Sequence, residues 1–288
     1  MLAIVACVGL IGASAAGCAT PATSAAQVGD TAISESVIFD RTTEVSEQAQ
    51  VQGNPAPDAA TLAELNRRQT TSAIRSKLLE VAANDVGVTV TDEQVNAALA
   101  DDTAATAASQ LGAPQTMVDQ TVRDLLRLEG LVATQPAAGA PITNVVVNVD
   151  GVSVPTRDEA VATRSQFLAD PAAVDGLVAA SASPVQQTFT ILQTPTVAPT
   201  GVFAAEQGEV LLYPGGPDGY FVIRIKSRSV EPAVLTAADL KPQDLGGKFD
   251  LGALLLGPYA EAAGISVNPR LGVWDPLTLQ VIPSGSGL

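Results

Sequence analysis

At Gln135-Pro136-Ala137-Ala138-Gly139-Ala140-Pro141 the sequence changes its period. Before this stretch apolar residues recur every three or four positions, the spacing of a helix that buries one face; after it they alternate, the spacing of a half-buried strand. Two such stretches cannot share one all-helical or all-strand layer, so the chain is expected to be α+β. The break itself has two prolines and no periodic apolar pattern, which makes residues 135–141 the expected linker.

The first stretch, residues 26–134, reads as a helical domain with a short extended entry. Ala26 to Ile33 alternates about Gly29-Asp30, the pattern of a strand or hairpin. Ser34 can then cap a helix whose buried stripe is Val37, Ile38, Val45 and Ala49. Asp58 restarts the pattern as the cap of a long helix to about Asp85, and Gly87 supplies the left-handed stop. Thr91-Asp92-Glu93-Gln94 is a capping box, opening a third helix to about Gln110. Pro114 sits where a first helical residue belongs, ahead of a fourth helix through Met117, Val118, Val122, Leu125, Leu126 and Leu128.

The second stretch, residues 142–230, reads as a small α+β domain. Val145 to Val149 is a strand, Arg157 to Leu168 and Pro171 to Ser181 are helices, and Thr188 to Leu192 is another strand. Glu209 to Tyr213 and Tyr220 to Lys226 flank a Gly/Pro turn and form a hairpin. Beyond it, Asp250 to Ala263 is helical, with an apolar face (Leu251, Leu254, Leu255, Tyr259) too small to stand alone. Residues 248–270 are therefore expected to pack against the N-terminal helices, leaving 271–288 as a tail.

Composition narrows the chemistry. With no histidine, and only Cys7 and Cys18, the usual neutral-pH base, the common zinc ligand and the thiol nucleophile are missing from a mature domain. Carboxylate pairs remain possible. Asp92-Glu93 and Asp101-Asp102 are the adjacent acids, but both lie in helical surroundings where solvated acids are the ordinary reading. No phosphate-binding loop is present, since Gly215-Gly216 lacks a following Lys-Ser/Thr. No catalytic residue, cofactor or metal ligand is assigned. A formal charge of -15 opposes nucleic acid and gives no attraction to anionic lipid heads.

Met1 to Gly17 carries no charge and ends in Ala15-Ala16-Gly17 before Cys18, which reads as a lipoprotein signal peptide (1–17) with Cys18 as the acylated residue. Residues 18–25 would be the tether. An uncleaved anchor and simple cleaved secretion are the alternatives, the first opposed by a run short of the roughly 20 residues needed to span a bilayer. All three place the folded part outside the cytoplasm.

Three segments together resemble the SurA/PrsA-type extracytoplasmic folding factors: Val28-Gly29-Asp30-Thr31-Ala32-Ile33-Ser34, the long helix to Leu79, and Gly87-Val88-Thr89-Val90-Thr91-Asp92-Glu93-Gln94-Val95. The second stretch is similar to a parvulin-type isomerase domain in its strand-helix-helix order and in Gly208-Glu209-Val210 followed by Gly219 to Ile225. The resemblance implies a helical chaperone domain completed by the C-terminal helix and strand, plus a parvulin-like domain. Parvulin sites use histidines on the first and last core strands; here those strands are Val145 to Val149 and Tyr220 to Ile225, and neither has one.

The function expected from these readings is a membrane-anchored extracytoplasmic chaperone without isomerase activity, whose partners are unfolded or partly folded exported proteins. Val37, Phe39, Met117 and Leu128 are the apolar residues a client groove could use, although plain core packing is the ordinary reading of each. One alternative is an active prolyl isomerase, because twisting an amide needs a pocket and no covalent step. Another is an envelope lipoprotein that binds one partner through Leu271-Gly272-Val273-Trp274-Asp275-Pro276, although Trp274 packing on the strand that ends at Asn268 is the plainer reading.

Overall fold

The computed structural model describes residues 23–100, 102–215, 219–240 and 245–284. Strands β1 (Ser24–Val28) and β2 (Thr31–Ser34) form the expected hairpin about Gly29-Asp30. The other edge of β1 pairs with a strand from the far end of the chain, Ile265–Val267, in antiparallel register Ala26 to Val267 and Val28 to Ile265. The first sheet is thus built from both ends of the sequence.

Helix α1 (Glu35–Val51) starts at Ser34, whose hydroxyl accepts from the Ser36 amide. Helix α2 (Ala59–Asp85) starts at Asp58, which accepts from the Thr61 amide at 2.8 Å. It ends in a Schellman motif: the Val88 amide bonds the Ala83 carbonyl, the Gly87 amide bonds that of Asn84, and Gly87 takes φ of 75°. Helix α3 (Asp92–Leu99) carries both halves of the Thr91/Gln94 capping box. The single third helix expected to Gln110 is two, since α4 (Asp102–Gln110) is a separate helix. Pro114 does not open an α-helix: it precedes a 3-10 turn, Gln115–Met117, and α5 (Val118–Ala133) follows.

Strand β3 (Ala140–Val154) begins within the segment read as linker and is three times the length of the alternating stretch that announced it. Helices α6 (Arg157–Ala169) and α7 (Val174–Ala180) lead to β4 (Pro184–Thr190), which lies earlier than the β-branched run Thr188 to Leu192 suggested. A 3-10 turn (Pro195–Thr200), β5 (Val210–Pro214) and β6 (Tyr220–Leu235) complete an antiparallel sheet of order β4-β3-β6-β5. Strand β6 runs nine residues past the expected Lys226, so β3 and β6 extend as a ribbon from Val154 opposite Tyr220 to Ala140 opposite Leu235. A bulge at Lys226 breaks the register, with Asn148 facing Ser227 and Val149 facing Ile225.

Helices α8 (Ala237–Leu240), α9 (Leu245–Ala253) and α10 (Gly257–Ala263), with a 3-10 turn at Leu254–Leu256 between the last two, lead into β7 (Ile265–Val267). Residues read as a tail fold instead as a hairpin, β8 (Val273–Asp275) and β9 (Gln280–Ile282), with Leu279 and Val281 buried.

Alternation along β3 gives the larger sheet two covered faces. Val145, Val147 and Val149, with Ile223 and Ile225, join the largest core cluster, which continues through Ile74, Leu78, Leu131, Leu251 and Val281. The opposite face, Val152, Val222 and Leu212, packs under α6 and α7 through Phe167, Val174 and Val178.

Candidate functional site

The residues singled out from sequence do not converge. Cys18 lies outside the described residues, as does Asp101, while Asp92 sits in the first turn of α3, almost fully exposed, with a 2.6 Å ion pair to Arg123. Val37 and Phe39 are exposed on α1, whereas Leu128 is core and Met117 is half-buried. Trp274 packs against the main core from β8.

What the fold does assemble is a cleft of about 560 Å³ between the first turns of α2, the outer edge of β5, the 3-10 turn at Pro195–Thr200 and the C-terminal hairpin. Its apolar lining comes from Leu65 on α2, Leu212 on β5, Tyr220 on β6, and Val273 and Pro283 of the hairpin. Val273 is half exposed, an apolar side chain left open at the cleft. Tyr213 lies against Phe221 with ring centroids 5.4 Å apart and planes tilted by 43°, and burial pushes its phenol up to about 12, so it stays protonated.

Charges ring this floor in opposed pairs. Glu64 accepts from Arg67 Nη2 at 2.8 Å and from Arg68 Nε at 2.9 Å, so one carboxylate serves two guanidiniums. The Asp58 carboxylate is occupied as a helix cap; hydrogen bonds from Thr61, helped by nearby Arg157, hold it below the usual carboxylate range. Glu209 folds back onto the Glu206 amide at 2.8 Å. Arg157, the first residue of α6, is exposed and close enough to Asp58 to act on it electrostatically.

Three further charged clusters are structural. Asp150 on β3 is buried and accepts both Nε (3.0 Å) and Nη2 (2.6 Å) of Arg224 on β6, which also binds Asp175 and the Pro171 carbonyl of the α7 segment. The bidentate pair ties β3 to β6, the Arg224–Asp175 contact clamps α7 to the sheet, and Lys226 Nζ lies 3.5 Å from the same Asp150 carboxylate. Arg75 on α2 joins Asp250 at 2.6 Å to the Thr278 and Leu279 carbonyls, fastening α9 and the hairpin to α2. Asp124 on α5 is held by Gln120 and Arg127. Among the described residues, no three His, Cys, Asp or Glu side chains gather as a metal site would require, and no helix is long and apolar enough to cross a membrane.

Sequence reading missed the cleft because its walls are far apart in the chain, meeting only when β5 and the hairpin fold onto α2. The Glu64-Leu65-Asn66-Arg67-Arg68 run was the one local signal.

Residues 1–124 match the family model of the SurA-like N-terminal domain. The match ends inside α5 and includes the α2 wall of the cleft; β5 and the hairpin lie outside it. This part of the chain is therefore similar to a domain of a periplasmic chaperone-type family. No curated protein matches the chain.

Proposed function

We propose that this protein is an extracytoplasmic chaperone that holds unfolded or partly folded exported proteins in the cleft between α2 and β5. The observation that carries the reading is the position of the cleft: its α2 wall belongs to the SurA-like region, and its floor is apolar, with Leu65, Tyr220 and Val273 facing open space. Such a site captures side chains by burial and needs no chemistry of its own.

The second region is proposed to be a parvulin-like domain that has lost isomerase chemistry. Its first and last strands, β3 and β6, lie side by side in the middle of the sheet. One face of these strands lies in the main core, the other packs under α6 and α7, and neither strand carries a histidine, which supports that reading. Acylation at Cys18 is proposed to hold the chain on the outer face of the cell membrane, with the acyl anchor as the membrane contact. Intact mass of the membrane-extracted protein should exceed that of the chain from Cys18 by a diacylglyceryl group or more, and an unmodified mass would refute the anchor.

The function is tested by diluting a chemically denatured client with and without the soluble chain from Ala19. Suppressed aggregation at near-stoichiometric ratios is expected, with no acceleration in a proline-isomerisation assay. Aggregation unchanged across several clients would overturn the chaperone reading, and accelerated isomerisation would overturn the loss of activity.

A further inference from the structure

Strand β4 stands at one end of the β4-β3-β6-β5 sheet, and its outer edge pairs with no strand. The Ser153 amide bonds the Ser183 carbonyl and the Ile191 amide bonds that of Val145, while every residue pair between them keeps one register. Bonding in an antiparallel ladder alternates, so Val185, Gln187 and Phe189 bond β3, and Pro184, Gln186, Thr188 and Thr190 turn their backbone groups outward. Unlike buried β5, this strand is open: Pro184, Gln186, Gln187 and Thr188 are all exposed.

Open edges are ordinarily guarded by charge, proline or a bulge. Here the pairing has no bulge, the one proline is the first residue of the strand, and no charged residue occurs from Gly176 to Ala205. In a chain of formal charge -15, that neutrality lets the edge meet a copy of itself without opposing like charges. Asp150, the acid opposite Gln186, is already paired with Arg224.

The strand is also complementary to itself. Turned antiparallel about a two-fold axis at Gln187, it sets Gln186 against Thr188, Val185 against Phe189 and Pro184 against Thr190, with each opposed pair on one face. Gln186 and Thr188 then exchange both of their backbone bonds, and the Thr190 amide reaches the Pro184 carbonyl. Pro184 has no N–H to return, and the Thr190 carbonyl that would receive it already accepts from the Gln193 and Thr194 amides. The missing donor meets the filled acceptor, so no outward group is orphaned.

We infer that two copies of this chain join through β4, antiparallel about Gln187, and merge their four-stranded sheets into one. The contact is isologous and closes on itself, so it makes dimers and not filaments. One strand edge is a small interface, which puts the pair in the weak, concentration-dependent class. An extended client would gain main-chain bonds at the same edge, but nothing in a client matches the Pro184 and Thr190 pattern.

The test is sedimentation equilibrium of the soluble chain from Ala19 between about 1 and 100 µM, the range in which a weak interface fills. The unaltered chain should move from monomer toward dimer mass. Gln187→Lys and Gln187→Glu, at an exposed position, each set like charges face to face on the two-fold axis. Either variant alone should stay monomeric, with thermal unfolding unchanged at the lowest concentration. Mixed in equal amounts they should dimerise again, because opposite charges then meet. An unaltered chain that is monomeric throughout would overturn the inference, and so would dimers of either variant alone, which would place the contact elsewhere. Variants that stay monomeric when mixed would overturn the two-fold at Gln187 and the inference with it. Protection of β4 from hydrogen exchange by an unfolded client, in a chain that forms no dimer, would give the edge to a client strand and overturn the inference as well.

Discussion

Asp124 is a carboxylate in an unusual position: it is 5% exposed, between α5 and α2, and burial raises its pKa although Ser76, Arg127 and Gln120 act in the other direction. A carboxyl group whose pKa is raised on folding binds its proton more tightly in the native state. Its contribution to stability is fully present below the unfolded value and is lost as pH rises through the folded one. The neutral isostere should remove that dependence, so Asp124→Asn is expected to flatten the fall in melting temperature as pH rises from about 4 through the acidic range. Identical pH profiles for the two proteins would show that Asp124 is not desolvated in this way. Nearby Arg41 is itself pulled down by burial, against the pull of Asp124, and its buried Nε has no hydrogen-bond partner among the described residues.

At the scale of elements, the C-terminal hairpin forms one wall of the cleft and is held by few polar contacts. Arg75, 4% exposed, gives Nε to the Leu279 carbonyl at 2.9 Å, Nη2 to that of Thr278 at 3.2 Å and Nη1 to Asp250, while the Thr71 hydroxyl accepts from the Val281 amide at 2.9 Å. Removing one side of a buried pair leaves the other uncompensated, so Arg75→Met should destabilise by about 3 kcal/mol in denaturant unfolding. Limited proteolysis should then cut first between Asn268 and Ser284. A loss under about 0.5 kcal/mol, typical of a surface substitution, would mean that the apolar contacts of Leu271, Leu279 and Val281 hold the hairpin unaided.

For the whole molecule, what was legible in the sequence was what local chemistry decides. The caps at Ser34, Asp58 and Thr91 and the stop at Gly87 stand where the residue types placed them, because each is settled within four residues. The mixed helix and sheet class also follows from the change of period, with a SurA-like region ahead of it. Long-range pairing was not legible. The polar residues Thr143, Asn144 and Ser227 hide the true length of the β3·β6 ribbon, since strand partners on either side hold a segment whose own pattern reads as loop. The hairpin after Arg270 escaped for the same reason, its short strands being fixed by Arg75 and Thr71 nearly two hundred residues away or more. Asp150 lies just past the strand expected from Val145 to Val149, and only the register shows it to be the partner of Arg224.

The central claim is that an unfolded client occupies the cleft between α2 and β5. Hydrogen exchange of the soluble chain, with and without a denatured client, tests it most directly, because amide protection reports where chain is covered. The account predicts slowed exchange in β5 around Leu212, in the first turns of α2 and in the hairpin strand Val273–Asp275. Protection confined to other surfaces, such as the exposed Val37 and Phe39 of α1, or no change under conditions that suppress aggregation, would contradict it.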